Sequence, residues 1–512
     1  MTVAIRLFHD TYVDSVVQLR GMRAMRDVDG VDWANATMAT PANVETLRGE
    51  GVDPAQLADA GANDFVLVVR AATDSIAAQA LAAGESAAAS TGSAPSEVGR
   101  RDAPSSLRDA VLAQPRSNVA VVSVPGDYAA LAAHEALSEN LSVLLFSDNV
   151  PLEKEVALKD HALSRGLLMM GPGAGTALLG GIGLGFANVV TPGPVGVVAA
   201  AGTGAQEVMT LLDRWGVGVS HVIGVGGRDL SSEVGGRMAR SAILALREDP
   251  ATKVILLVSK PPAPEVAATV LGAAGDTPLV AALIGLDPEF RAPPGVVLAD
   301  TLESGVTATL TALRVTAPDT AGTAGPSLEE ARARLTPGRR LIRGLFSGGT
   351  LCYESLVILG RTIGEVRSNT PITPGWGLPA PAGSHLCLDL GEEEYTRGRP
   401  HPMIDAAARL ELVREHAADA QVAVILLDVV LGHGADPDPA KTLAPAARAA
   451  MTDGGPQVVA YVLGTEQDPQ GYRAQCDSLV QAGCIVTETA ARASLVAAAI
   501  ATGDPSLARI RL

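Results

Sequence analysis

At 512 residues the chain is too long for a single hydrophobic core, and three or four domains are expected. It is 47% hydrophobic, only 3% aromatic and carries 54 glycines, a mixture that suits buried parallel strands joined by tight βα turns. A net charge of −17 argues against nucleic acid or an anionic membrane surface as the main partner, but leaves small anionic ligands open because they respond to local fields.

The N-terminal MTVAIRLFHDTY lacks the basic region and long apolar core of a signal peptide, so a cytoplasmic location is expected. Cys352, Cys387, Cys476 and Cys484 form no CxxC, so neither a disulfide framework nor a bound metal is expected. Residues 1–89 read as a small α+β domain. Its strands are VAIRLF, VDWANATM and FVLVV, with helices around Val16–Met25, Ala42–Arg48 and Asp74–Ala89. Residues 90–117, beginning STGSAPSEVGRRDAPSS, read as a linker.

From Asn118 strands alternate with helices, which predicts a parallel, doubly wound, Rossmann-like domain over 118–192. Its turn VPGDYA is not GxGxxG, and no acidic residue closes a second strand where a ribose would need it. Residues 166–206 carry no charge, yet GPGAG, GGIGLG and TPGPVG cut them into runs no longer than a strand, so no membrane helix is expected.

Residues 193–316 and 339–512 read as two copies of one flavodoxin-like parallel-sheet unit, with 317–338 as a second linker. Gly202, Thr203 and Glu207 in GTGAQEV match Gly349, Thr350 and Glu354 in GGTLCYE at one constant offset. Met238 matches Met403 at a larger offset, so the second copy has a longer loop over 368–384. In each copy the glycines let a backbone approach a ligand, and the helix start offers free N–H groups to phosphate or carboxylate. One such end contributes ~0.3–1 kcal/mol, or about 2 when partly buried. The plainer reading of either turn alone is a bend with a cap.

GPVGVVAAAGTGAQEV resembles the α-subunit ligase domain of succinyl-CoA synthetase, and RGLLMMGPGAGTALL resembles that subunit's CoA-binding domain. CLDLGEEE, VILLDVVLGHGADPDPA and VVAYVLGTE resemble the C-terminal domain of the β subunit. Together with SGGTLCYE and GRPHPMID, the layout resembles the FdrA family of acyl-CoA-synthetase-like proteins. The resemblance implies phosphate contacts at Gly202, Thr203, Gly204, Gly349, Thr350, Gly432 and Gly434, and possible CoA contacts at Pro125, Gly126, Gly171 and Pro172. It departs from the synthetases in three ways. The loop LIGLDPEFRAPPG has no histidine to phosphorylate, Lys260 stands where they have a glutamate, and neither an ATP-grasp domain nor a P-loop is present.

Such a scaffold suits direct attack of free phosphate on an acyl or carbamoyl carbon. Some FdrA-type proteins are subunits of oxamate carbamoyltransferase in allantoin breakdown, converting oxalurate and phosphate to oxamate and carbamoyl phosphate. The alternatives are an acyl-CoA ligase or transferase subunit completed by a partner, and a protein that only binds CoA or phosphate. Phosphate is therefore expected as a substrate, CoA as an open possibility, and partner subunits as companions.

The candidate chemical residues are His401, between two prolines that pre-set its imidazole; His433, after a buried strand at a switch point; Lys260, at a strand end; and Arg228, which can instead pair with Asp229. Cys352 reads as packing, His134 and His161 as structural, and the acids of GEEEYTRG as a solvated run. The helix starting at Gly202 and the one following Gly432–His433–Gly434 are expected to converge on one cavity, with Lys260 or His401 adding charge. Incubation of the pure chain with labelled ATP is expected to leave no acid-labile phosphohistidine, as read by autoradiography at acid and alkaline pH.

Overall fold

The computed structural model describes residues 2–11, 13, 15–89, 104, 106–260, 262–287, 289–321, 325–397 and 399–512. Contacts divide the chain into residues 1–103 with 397–400, and residues 104–396 with 401–512. Most of the first expected linker, 90–103 and 105, lies outside the described residues; Leu107–Ala113 forms a short helix.

In the first unit the strand Phe65–Ala71, FVLVVRA, is buried except at Arg70. It therefore takes the centre of a three-stranded sheet, with Thr2–Phe8 and Val31–Met38 antiparallel on its two sides. Helices Ser15–Arg26 and Asp74–Ala89 pack on each other, burying Met22, Met25 and Leu81 against the sheet. Helix Pro41–Gly49 puts Leu47 against Val66 and Val68 on the other face. This is the expected α+β domain.

The second unit holds three sheets. Val119–Val122, Ser142–Leu145 and Met169–Met170 form a small parallel sheet, as the Rossmann-like reading required. Pro192–Ala200, Val219–Gly224, Val254–Ser259, Leu279–Leu283 and Val296–Ala299 form a parallel sheet in the order 2-1-3-4-5. Leu341–Phe346, His385–Asp389, Val422–Val430, Gln457–Leu463 and Ile485–Thr487 repeat that order, with the short Val366–Arg367 added outside the second strand. The order is that of flavodoxin, so the duplication is visible in topology as well as in the matched turns. Among the described residues no helix is long and apolar enough to cross a membrane.

Two boundaries differ from expectation. The uncharged stretch GGIGLG makes a tight reversal with Gly180 and Gly181 at φ +56° and +81°. The resulting hairpin, Thr176–Leu179 with Ile182–Gly185, joins the edge of the following sheet through Val222 and Leu178, so the first parallel sheet ends at Met170. The expected linker 317–338 contains a helix, Gly325–Arg334, because Leu328 and Ala331, one helical turn apart, are buried in the core.

One continuous core spans both copies. It runs from Val195 and Val197 through Ala205, Met209, Leu302 and Val306 to Leu351, Leu356, Ala490 and Val496. The first helix of each copy, Gly202–Arg214 or Gly349–Ile363, packs on that copy's last helix, Leu302–Ala312 or Ala490–Thr502. The matched glutamates cross between copies. Glu354 accepts the Leu302 N–H at 2.6 Å, and the Ala490 N–H favours the Glu207 carboxylate. Each acid thus faces the N-terminus of the other copy's last helix, where partial positive charge favours an anion.

Burial outweighs this and pushes the Glu207 carboxyl up to about 7, and Glu354 well above the usual range. Tyr461 donates its hydroxyl to Glu207 at 2.5 Å. A carboxyl raised in the folded state contributes stability that is complete below pH 4.5 and lost as pH rises through about 7. Glu207→Gln is therefore expected to flatten the fall in Tm between those pH values, measured by calorimetry across the range.

Candidate functional site

Strand Pro192–Ala200 ends at Ala201, and the Gly202–Thr203–Gly204 turn begins the next helix. No side chain caps this helix start. Gly202 is exposed, with nothing within 4 Å of the place a Cβ would occupy. Gly204 is needed for closeness: a Cβ there would stand 2.9 Å from Thr350 and 3.0 Å from Val258. The two matched turns meet at this point, where Thr203 Oγ1 accepts the Thr350 N–H at 3.2 Å.

The second turn is furnished differently. Asp428 accepts from the Ser347 N–H (2.7 Å), the Ser347 hydroxyl (2.9 Å) and the Gly348 N–H (2.7 Å). The buried Arg409 donates to it from Nη1 at 2.9 Å. Asp389, also buried, lays Oδ2 against Gly349 and accepts the Gly391 N–H on Oδ1 at 3.0 Å. Strand register explains the asymmetry. Ala199 pairs with Gly224 as its counterpart Phe346 pairs with Asp389. Val198 pairs with Leu257 as Leu345 pairs with Leu427, which sets Val258 opposite Asp428 in the comparison. Where the second copy has two carboxylates, the first has glycine and valine. The second turn is filled by the chain's own anions, and the first is open.

Lys260, at the end of strand Val254–Ser259, lies near enough to Asp389 and Cys352 for its charge to favour their ionised forms, and sits 5.7 Å from the Tyr353 ring centre. His401 Nε2 and Asp389 Oδ1 stand 2.8 and 3.2 Å from the point a Gly391 Cβ would take. Burial lowers the His401 imidazole to about 4, against the opposing pull of Asp428. His401 is therefore neutral at physiological pH.

Thr203, Thr350, Gly349, Lys260 and His401 thus come together, though the Thr350 N–H is already given to Thr203. The Gly432–His433–Gly434 loop does not begin a helix; the next helix starts at Pro439. Its N–H groups at Gly432 and His433 are bonded to Gln470 and to the Ala187 carbonyl, and Gly434 packs on Phe186. Pro437 biases Asp436 away from helical backbone, and Pro439 occupies the first helical position. Asn188, bonded to the Leu431 carbonyl and to Gln206, links this loop to the Gly202 helix. Arg228 is elsewhere: it pairs with Glu155 at 2.8 Å beside the buried Lys159–Asp229 pair. Cys352 is buried and its thiol is raised well above the usual value by burial, in keeping with packing.

Pro125, Gly126, Gly171 and Pro172 lie in the loops at the carboxyl ends of the small parallel sheet. A Cβ on Gly126 would meet the Asp148 carbonyl at 2.6 Å, and one on Gly171 would meet the Leu145 carbonyl, so both glycines serve loop-to-loop packing. These loops carry Asp127 and Asp148 and no Lys or Arg. Arg228, which bonds the Val150 carbonyl, is already paired. No cationic side chain stands at these four positions, and the Gly126 helix start has no side-chain cap.

Sequence reading missed Asp389, Asp428 and Arg409. The available signal was an aspartate within each of two otherwise apolar strands, LCLDL and VILLDVV, since a buried polar residue is more informative than a buried apolar one.

The duplicated parallel fold with its matched Gly turns is similar to proteins of the CoA-ligase class. Residues 345–500 match a family model described as CoA-ligase, 190–280 one described as CoA binding domain, and 1–104 one described as AllF, heavy metal-associated domain. The CoA binding match falls on the stretch read from sequence as the first ligase-like copy. The chain is 38% identical over 508 residues to the uncharacterized protein YahF of Escherichia coli K12, covering 97% of this chain and 98% of that one. It therefore belongs to the FdrA family of acyl-CoA-synthetase-like proteins. It is 27% identical over 187 residues to the succinate–CoA ligase [ADP-forming] α subunit of Aquifex aeolicus, covering 35% of this chain and 59% of that one. An ATP citrate lyase structure from Methanothrix soehngenii aligns over 40% of this chain and 37% of its own, at 21% identity and a TM-score of 0.31, too loosely to carry an argument.

The donors of residues 1–104 do not fit a heavy metal. This stretch has no cysteine and one histidine, His9, which pairs with Asp64 at 2.9 Å. Among the described residues no cluster of three or more His, Cys, Asp or Glu could hold an ion.

Asp428→Ala, which leaves the buried Arg409 without its carboxylate, is expected to cost about 3–5 kcal/mol of stability in urea unfolding.

Proposed function

We propose that the second unit binds inorganic phosphate at the Gly202–Thr203–Gly204 turn and moves an acyl or carbamoyl group between it and a small anionic substrate. The specific reaction is conversion of oxalurate and phosphate to oxamate and carbamoyl phosphate, with this chain as one subunit of an oxamate carbamoyltransferase. The observation that carries this reading is the asymmetry of the matched turns. Neither helix start has a side-chain cap, but the Asp389 and Asp428 carboxylates lie against the second, which favours the first as the place for an external anion. The Gly202 N-terminus attracts phosphate, the Thr203 hydroxyl borders it, and Lys260 supplies positive charge on the same side. The absence of a histidine from LIGLDPEFRAPPG supports direct attack by phosphate over a phosphoenzyme route.

A second reading, an acyl-CoA ligase subunit completed by a partner, is favoured by the CoA binding match over 190–280 and by the name of the Aquifex relative. Calorimetric titration with CoA separates the two, and no binding is expected.

Gly202→Val fills the opening without displacing a neighbour. It is expected to raise the KM for phosphate about 2- to 30-fold, the equivalent of the ~0.3–2 kcal/mol of a helix end, with Tm unchanged. Steady-state release of carbamoyl phosphate from oxalurate measures the first and calorimetry the second. An unchanged KM removes phosphate from this turn.

A further inference from the structure

Asp389 is held more firmly than a strand end requires. Its N–H donates to Asn369 Oδ1 at 3.0 Å, and its carbonyl accepts from Asn369 Nδ2 at 2.9 Å. Asn369 lies in the loop by which the second copy is longer than the first, so the insertion clamps this one residue. Oδ1 is fixed by the Gly391 N–H, while Oδ2 has no hydrogen bond among the described residues and lies against Gly349, beside the place where the two turns meet. The groups facing the carboxyl are Lys260 from the first copy's third strand, Asp428 from the second copy's third strand, Glu392 from the following loop, Cys352 from the Gly349–Ile363 helix, and His401.

Burial raises the carboxyl, Lys260 lowers it, Glu392 and Asp428 raise it, and the outcome is about 6. Asp428 has its hydrogen-bonding capacity taken by Ser347, Gly348 and Arg409, and His401 is neutral. Asp389 is thus the acid of this cluster with a free oxygen and a proton to exchange near neutrality, a combination suited to general acid–base work.

We propose that Asp389 carries the proton of the group-transfer step, giving it to the leaving nitrogen and recovering it from the attacking phosphate. The inference rests on the phosphate-transfer reading above. In phosphorolysis, an oxygen of hydrogen phosphate forms a bond to the carbamoyl carbon of oxalurate. The bond from that carbon to the amide nitrogen breaks, and its electron pair goes to nitrogen. Asp389 Oδ2–H protonates that nitrogen, oxamate leaves, and the phosphate O–H proton restores the acid. No proton is taken up or released overall. The reverse retraces this path from the same protonated enzyme: Asp389 gives its proton to the departing phosphate oxygen and regains one from the oxamate amide as that nitrogen bonds to the carbamoyl carbon. Both directions therefore need the acid form of Asp389 and weaken as pH rises through about 6.

The test compares the full-length protein with Asp389→Asn, which keeps an acceptor for the Gly391 N–H. The variant is expected to lose about 10²- to 10⁴-fold in kcat in both directions, with the KM for phosphate within about twofold and both pH limbs near 6 abolished. A kcat within threefold of the parent overturns the proposal. Infrared difference spectroscopy decides independently of turnover. The parent protein is expected to show a carboxylic C=O band that bleaches as pH rises through about 6, shifts when inorganic phosphate is added, and is missing from Asp389→Asn. Absence of that band in the parent overturns the proposal. Failure to turn over oxalurate with the phosphate-sensitive band present removes the carbamoyl reaction by this chain alone and leaves Asp389 as the proton carrier for a completed complex or another acyl group.

Discussion

The second unit depends on a crossed electrostatic contact: a buried glutamate from the first helix of each copy faces the first N–H group of the other copy's last helix. Thr301 and Thr489 cap these helices from within their own copies, and the glutamates add a contact from the other copy. Because Glu207 and Glu354 are buried and their neighbours include Glu303, the arrangement holds only where the surrounding core excludes water and helix ends supply the compensating dipole. Glu303 is satisfied in turn by Arg492, Thr320 and Thr489, which ties the last helix of the first copy to that of the second. With these contacts made, the Gly202 and Gly349 turns are forced together, and Thr203 meets Thr350.

Duplication then permitted division of labour. Two equivalent turns would be two equivalent anion holders. Replacing glycine and valine in one copy by aspartates in the other converts one of them into a self-occupied turn that presents carboxyl chemistry to its neighbour. The cost is the burial of acidic groups. It is met differently at the two aspartates: Asp428 by Arg409 and three donors, Asp389 by a single N–H and a perturbed carboxyl. That difference leaves Asp428 hydrogen-bonded on both carboxyl oxygens and Asp389 with one oxygen unbonded among the described residues.

Much of this was legible in the sequence because it depends on local pattern. Apolar runs separated by Gly turns gave the parallel sheets, and the matched Gly202–Thr203–Glu207 and Gly349–Thr350–Glu354 gave the duplication. What failed depends on long-range pairing. The role of Glu207 and Glu354 needs the other copy's last helix, and the significance of Asp389 and Asp428 needs strand register. The helix expected to follow Gly432–His433–Gly434 begins only at Pro439, and Gln470 and Ala187 claim the loop's donors. Leu328 and Ala331 sit among polar residues and resembled a linker, until the core of both copies gave them something to cover.

The Gly325–Arg334 helix joins the two copies through the core they share. Two facing helix ends supplied by separate chains would meet only above the dissociation constant of that pair. A covalent connection replaces this bimolecular step with a first-order closure, in which each copy meets the other at an effective concentration that short tethers place in the millimolar range. Pairing of these two turns is therefore insensitive to dilution, and the gene encoding them needs no matched expression of a second one to bring them together.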